Sequence, residues 1–225
     1  RSSYHRVGLS TSLRYSPHED SWFQSLLLRY STSVSFDEID QTKFVSVDRD
    51  TPAPQTEENG EYDGTYLPST YVARHQVKGM PFYSNLRLEG NAQKAMGALS
   101  HVLTMGVEWQ YNKNFGQGQV YDYQRPIDGT SSRRPRAFKD IPATNLWAFY
   151  AQDEAKLSVG KHVITALLGV RGTTMVGLSS AYDLHGRLYV DPRLNVQWDL
   201  PAMGKLHLYA SMGVGRMSKM PTILD

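Results

Sequence analysis

Residues 187 to 200 alternate between apolar and polar positions almost without a break. Leu188, Val190, Pro192, Leu194, Val196, Trp198 and Leu200 fall on one face of a strand, and Asp191, Arg193, Asn195, Gln197 and Asp199 on the other. The run exceeds the roughly 5 to 6 residues of an average globular strand and suits one that crosses a membrane at a tilt, which takes about 9 to 11. Taken alone, such a strand equally fits the solvent-facing sheet of a sandwich.

The pattern recurs. After Pro201–Gly204 the next run puts Leu206, Leu208, Ala210, Met212 and Val214 opposite Lys205, His207, Tyr209 and Ser211. Residues 162–176 place Ile164, Ala166, Leu168, Val170 and Val176 against Thr165, Gly169 and Arg171, with Leu167 the exception on the polar side. Residues 99–111 set Leu99, Leu103, Met105, Val107, Trp109 and Tyr111 against Ser100, Thr104, Glu108 and Gln110, and 146–157, 21–36 and 5–15 follow less cleanly. Short links are expected at 16–20, 90–97, 158–161 and 201–204. Long polar ones are expected at 37–68 and 113–143, with a shorter one at 177–186. Outer-membrane barrels join their strands by short periplasmic turns and longer external loops, so this alternation predicts an all-β, antiparallel transmembrane β-barrel segment with about eight strands in view.

Composition explains why a scan for apolar runs misses such a protein. Mean hydropathy is −0.47, because only alternate residues of a barrel strand meet lipid while the backbone bonds between strands. Fourteen tyrosines and four tryptophans suit aromatic girdles, and Trp22, Trp109, Trp147 and Trp198 all lie on the apolar phase towards strand ends. The lack of cysteine fits an exported chain. A net charge of +2 without a basic stripe gives no reason to expect a nucleic-acid partner. The seven histidines are scattered, and no nucleophile elbow, P-loop or dinucleotide fingerprint occurs, so neither enzyme chemistry nor a cofactor is expected.

Asn145-Leu-Trp-Ala-Phe-Tyr150-Ala-Gln152-Asp153-Glu154 resembles the tyrosine, glutamine, aspartate strand of the TonB-dependent outer-membrane receptors. Gly169-Val-Arg171, Asp191-Pro192-Arg193-Leu-Asn and the run from Tyr209 through Gly213 and Gly215 to Pro221 are similar to that family's following landmarks, in order. Ser218-Lys219-Met220-Pro221, without the aromatic and arginine common in the family, looks more like its Bacteroidetes branch. The resemblance is firmest over 98–225. It implies a barrel of about 22 strands with a plugged lumen, of which residues 1–225 form part of one domain, the plug, signal peptide and remaining strands lying outside. It further implies uptake of a scarce nutrient such as a siderophore, glycan or peptide, driven through TonB. The partners implied are outer-membrane lipid, TonB through other parts of the receptor, the nutrient, and a surface lipoprotein. A passive porin and a soluble β-sandwich adhesin or glycan-binding module are the alternatives.

Candidate ligand contacts are Arg187 and Tyr189, near the outer end of their strand, and Arg133, Arg134 and Arg136 in the basic loop. Residues 37–63 hold nine acidic residues, of which Asp48, Asp50, Glu57 and Glu58 are candidates for a hard cation, although their spacing matches no calcium loop and no metal site is expected. Arg29, Arg171, Arg187 and Arg193 should point into the lumen and pair with carboxylates of the plug or of neighbouring strands, such as Asp191 and Asp199.

Overall fold

The computed structural model describes residues 1–18, 21–48, 51, 66–120, 125–127, 137–201 and 207–218. Ten strands form one antiparallel system: β1 Ser2–Tyr15, β2 Phe23–Ser46, β3 Thr70–Gly79, β4 Pro81–Met96, β5 Leu99–Asn114, β6 Gly118–Val120, β7 Thr144–Val159, β8 His162–Met175, β9 Leu188–Asp199 and β10 Tyr209–Gly215. Their order is β10-β9-β8-β7-β5-β4-β2-β3-β6, with β1 on β2, so the sheet does not close among the described residues. The sole helical element among the described residues is a 3-10 turn at Phe138–Asp140.

Ten strands arise from eight runs because two are interrupted. β3 and β4 are consecutive and both lie beside β2, separated by Met80, and β4 opens on a proline that has no N–H to give to the ladder. β5 and β6 are likewise divided at 115–117. Asn114 Oδ1 accepts the backbone N–H of Met80 at 2.9 Å and of Gly116 at 3.0 Å, capping both interruptions.

Several boundaries differ from those expected. Residues 37–46 form strand instead of loop, because Asp37–Ser46 pairs residue for residue with Gly79–Thr70 and so satisfies a backbone whose charged side chains had suggested a loop. Residues 90–96 belong to β4, and the turn there is only Gly97-Ala98. Gly97 (φ +62°) and Gly160 (φ +60°) take the left-handed backbone that two-residue hairpins demand. The final strand begins at Tyr209, His207 and Leu208 being outside it, while Leu206 and most of the 201–204 turn fall outside the described residues.

By contacts the chain forms two units. One comprises residues 1–8, 33–83 and 112–143. Its core is Val45, Leu67, Tyr71 and Ala73, with Val47 and Ile127 against them. The Tyr71 hydroxyl donates to the Pro126 carbonyl at 2.6 Å, so the ring is buried with its polar end satisfied.

The other unit comprises residues 9–32, 84–111 and 144–225. In it β7, β8 and β9 pair over nearly their full lengths. Directly opposed residues share a face, so the register assembles apolar rows: Leu168, Leu194 and Val214, with Asp153 at their β7 end; Ala155, Ala166, Val196 and Met212; Leu157, Ile164 and Trp198. These rows are open to the surroundings, with Leu168 61% and Val214 67% exposed. Exposed apolar side chains in contiguous rows cannot be a water-facing surface of this extent; they are the lipid-facing wall of a barrel segment.

Aromatic side chains mark both ends of that wall. Trp109, Tyr111, Trp147 and Phe149 cluster at one end, with ring centroids 6.1 to 6.4 Å apart. Trp198, against His162, marks the other. Ten residues of β7 separate the Trp147 row from the Leu157–Trp198 row. At about 3.4 Å per residue and a tilt of about 40° this spans roughly 25 Å, the height of an outer-membrane apolar band.

Candidate functional site

The polar face of the same unit carries the sequence landmarks, and the register shows why they are separate in sequence. Tyr150 lies opposite Arg171, and Arg171 opposite Asp191, forming one row. Gln152, Gly169, Arg193 and Gly215 form the next. Four scattered motifs are therefore two adjacent lines across β7 to β10.

Around these rows the polar side chains reach past their immediate neighbours. Arg193 of β9 donates to the Gln152 amide oxygen of β7, passing over β8. Arg171 of β8 donates to Glu108 Oε2 of β5 at 3.0 Å, passing over β7, its guanidinium 5.9 Å from the Tyr150 ring centroid. Tyr150 of β7 donates to Glu89 Oε2 of β4 at 2.6 Å, passing over β5. Each link skips one strand in the same direction.

Glycines make two of these crossings possible. A Cβ on Gly169 would meet Arg193 Nε at 2.8 Å, and one on Gly106 would run into the Tyr150 phenol and the Leu88 carbonyl. At both positions a second backbone must admit a long side chain, which only a residue without Cβ allows. Arg87 completes the network, donating through Nε to the Tyr150 hydroxyl oxygen at 3.1 Å and through a terminal nitrogen to Glu89 at 2.5 Å.

The network frames a cavity of about 480 Å³ lined by Arg87, Tyr150, Gln152, Arg171, Arg193 and Arg216 among others. Arg87 and Arg171 are each matched by a glutamate. Arg193 and Arg216 have no carboxylate partner among the described residues, so the cavity is left cationic. Such a wall suits an anionic or hydroxyl-rich ligand, or a carboxylate presented by another segment.

The residues singled out in the sequence are placed as follows. Arg187 is exposed just before β9, its carbonyl accepting from Thr174 Oγ1 at 3.0 Å. Tyr189 is half-buried and packs against the cluster of Met175, Leu178 and Leu184, so its ring supports a loop. Arg133, Arg134 and Arg136 lie outside the described residues. Asp50, Glu57 and Glu58 do too, while Asp48 is exposed. Among the described residues no group of three or more metal-ligating side chains occurs. Arg171 pairs with Glu108, a carboxylate of another strand, while Asp191 accepts from Ser218 Oγ at 2.7 Å. Arg87, Glu89 and Gly106 were not singled out. Their signals were present as two opposite charges two apart on one strand face and an isolated glycine within a strand.

Among curated proteins and among solved structures, nothing matches the chain. The family described as TonB dependent receptor-like, beta-barrel matches residues 1–217. With an open antiparallel sheet, an exposed apolar face between aromatic rows and a polar face holding the landmark residues, the chain belongs to the TonB-dependent receptor-like β-barrel family, an outer-membrane family of receptors and transporters.

Proposed function

We propose that the chain is part of the wall of a substrate-gated, energy-coupled receptor that imports a scarce nutrient through a plugged barrel. The Bacteroidetes-like branch is the finer reading, with a siderophore, glycan or peptide as cargo and a surface lipoprotein as a further partner. Its support is the loop signature of Ser218-Lys219-Met220-Pro221. In this reading residues 1–225 belong to one barrel domain and the plug, the TonB-contacting segment and the remaining strands are supplied by the rest of the receptor. The polar face is then the lumen.

The observation that carries the reading is the strand-skipping network of Arg193–Gln152, Arg171–Glu108 and Tyr150–Glu89. It stiffens the lumen wall laterally and leaves Arg193 and Arg216 to meet a plug carboxylate or a passing ligand. Arg187 is a further cationic candidate, and Arg133, Arg134 and Arg136 are basic candidates in the sequence between β6 and β7. The test is uptake of labelled candidate nutrients by cells carrying the receptor, with and without a functional TonB. Uptake lost without TonB while surface binding persists supports the reading. Uptake that continues unchanged identifies a passive channel.

A further inference from the structure

Lys94, His101 and Asp153 are ionisable residues on the apolar phase, where lipid should be. Asp153 shares its row with Leu168, Leu194 and Val214. His101 keeps phase with Leu99, Leu103 and Met105 on β5, and Lys94 with Ala92 and Met96 on β4. His101 Nδ1 and Asp153 Oδ2 are 2.8 Å apart. A carboxylate only accepts, so Nδ1 carries the hydrogen and Nε2 is left for another partner. These side chains border, with Trp22, Gln93 and Leu103, a cavity of about 300 Å³. Lys94 is exposed and no ion pair of it occurs among the described residues.

Charges on a lipid-facing wall are costly unless something polar meets them, and the cost falls towards the interface. Lys94 precedes the Gly97-Ala98 turn by three residues and His101 follows it by three beyond Ala98, so both lie towards the short-turn end of the wall, with Asp153 further in. Trp22, 68% exposed beside them, has the amphipathic ring typical of the membrane interface. The Lys94 ammonium, which has no ion pair among the described residues, supplies one positive charge for the single negative charge of a phosphodiester. Leu103, Ala92 and the Trp22 ring supply the apolar surface that the first methylenes of a lipid tail require.

We propose that Lys94, His101 and Asp153, with Trp22 and Leu103, bind the phosphate headgroup of a glycerophospholipid in the leaflet at the short-turn side. Lys94 contacts the phosphate, His101 lines the same cavity, and Asp153 is a positioning residue that fixes the imidazole. The inference rests on the apolar face meeting lipid and is independent of cargo and of energy coupling.

The test is native mass spectrometry of the detergent-purified receptor titrated with phosphatidylethanolamine. Wild type should retain one lipid more tightly than a Lys94→Ala/His101→Ala variant, by about tenfold, the magnitude of one or two charge-assisted contacts. Lys94→Arg should keep the lipid, and heat-modifiable gel migration establishes that each barrel is assembled. If the double variant does not assemble, Lys94→Gln against Lys94→Arg makes the same comparison. Equal retention by wild type and the uncharged variants overturns the proposal. So does equally tight retention of diacylglycerol, which lacks the phosphate, or displacement of the lipid by millimolar inorganic phosphate, which would mark a site for free anion. A loss of lipid with transport intact separates this inference from the proposed function.

Discussion

The β7–β9 wall and the β2–β3 pair bury opposite chemistry. In β7–β9 the apolar rows are exposed and the polar face is knitted together, as when the surrounding solvent is hydrocarbon. In β2–β3 the alternation points the other way: Val45, Tyr71 and Ala73 are buried with Leu67, while Asp40 and Arg74 stand opposite each other's neighbourhood on the open face and pair at 2.6 Å. That is how a strand pair in water is built. At 24 residues β2 is more than twice what a crossing needs, so a segment of it lies outside the membrane, and Asp37–Ser46 has the packing of that segment. Phe44 and Val72, opposed and exposed, are the apolar exceptions on its open face. One period-2 pattern therefore serves two solvents, and burial tells them apart.

The sharpest way to break the comparison is to place the same charge on both faces of β9. Leu194→Arg should cost about 2 to 4 kcal/mol and impair barrel assembly, whereas Asn195→Arg on the polar face should cost much less. Urea unfolding in lipid vesicles measures both, and equal costs would mean that the apolar rows do not face lipid. Next in size is the β2–β3 core. Ala73 is fully buried, so Ala73→Leu should destabilise by about 1 to 3 kcal/mol through overpacking, seen as easier proteolysis of 37–79. Tyr71→Phe, which strands the Pro126 carbonyl, should cost about 1 to 2 kcal/mol.

A smaller effect is expected at the crossings of the polar face. Gly169→Ala puts a methyl group into the path of Arg193 and should release its link to Gln152 with the barrel still assembled. Faster hydrogen exchange confined to β7–β9 would register it. The smallest effect belongs to Asp40. Hydrogen bonds from Arg74 hold its carboxyl down to about 2. A lowered value means that the pair's contribution is complete above the ordinary carboxylate range and disappears as pH falls through about 2. Carbon-13 titration of the Asp40 carboxyl should show no protonation at pH 4. Because the pair is exposed, Asp40→Asn should leave the melting temperature unchanged.

The sequence by itself determined the all-β class, the phase of β8 and β9 and the short turn at Gly160, because each is a local property of alternation or of a backbone that only glycine adopts readily. The family landmarks were legible for the same reason, as short runs along single strands. Only the tertiary structure decided that 37–46 is strand, since its pairing with 70–79 lies across a long connection and its charges read as loop. Only register could show that Tyr150, Arg171 and Asp191 form one row, or that Arg193 reaches Gln152 over Gly169. It also placed His101 and Asp153 together on the apolar side. Alternation assigns a residue to a face, but which residues meet on that face depends on stagger between strands, which is set by the sum of all their pairings and is written in no one strand.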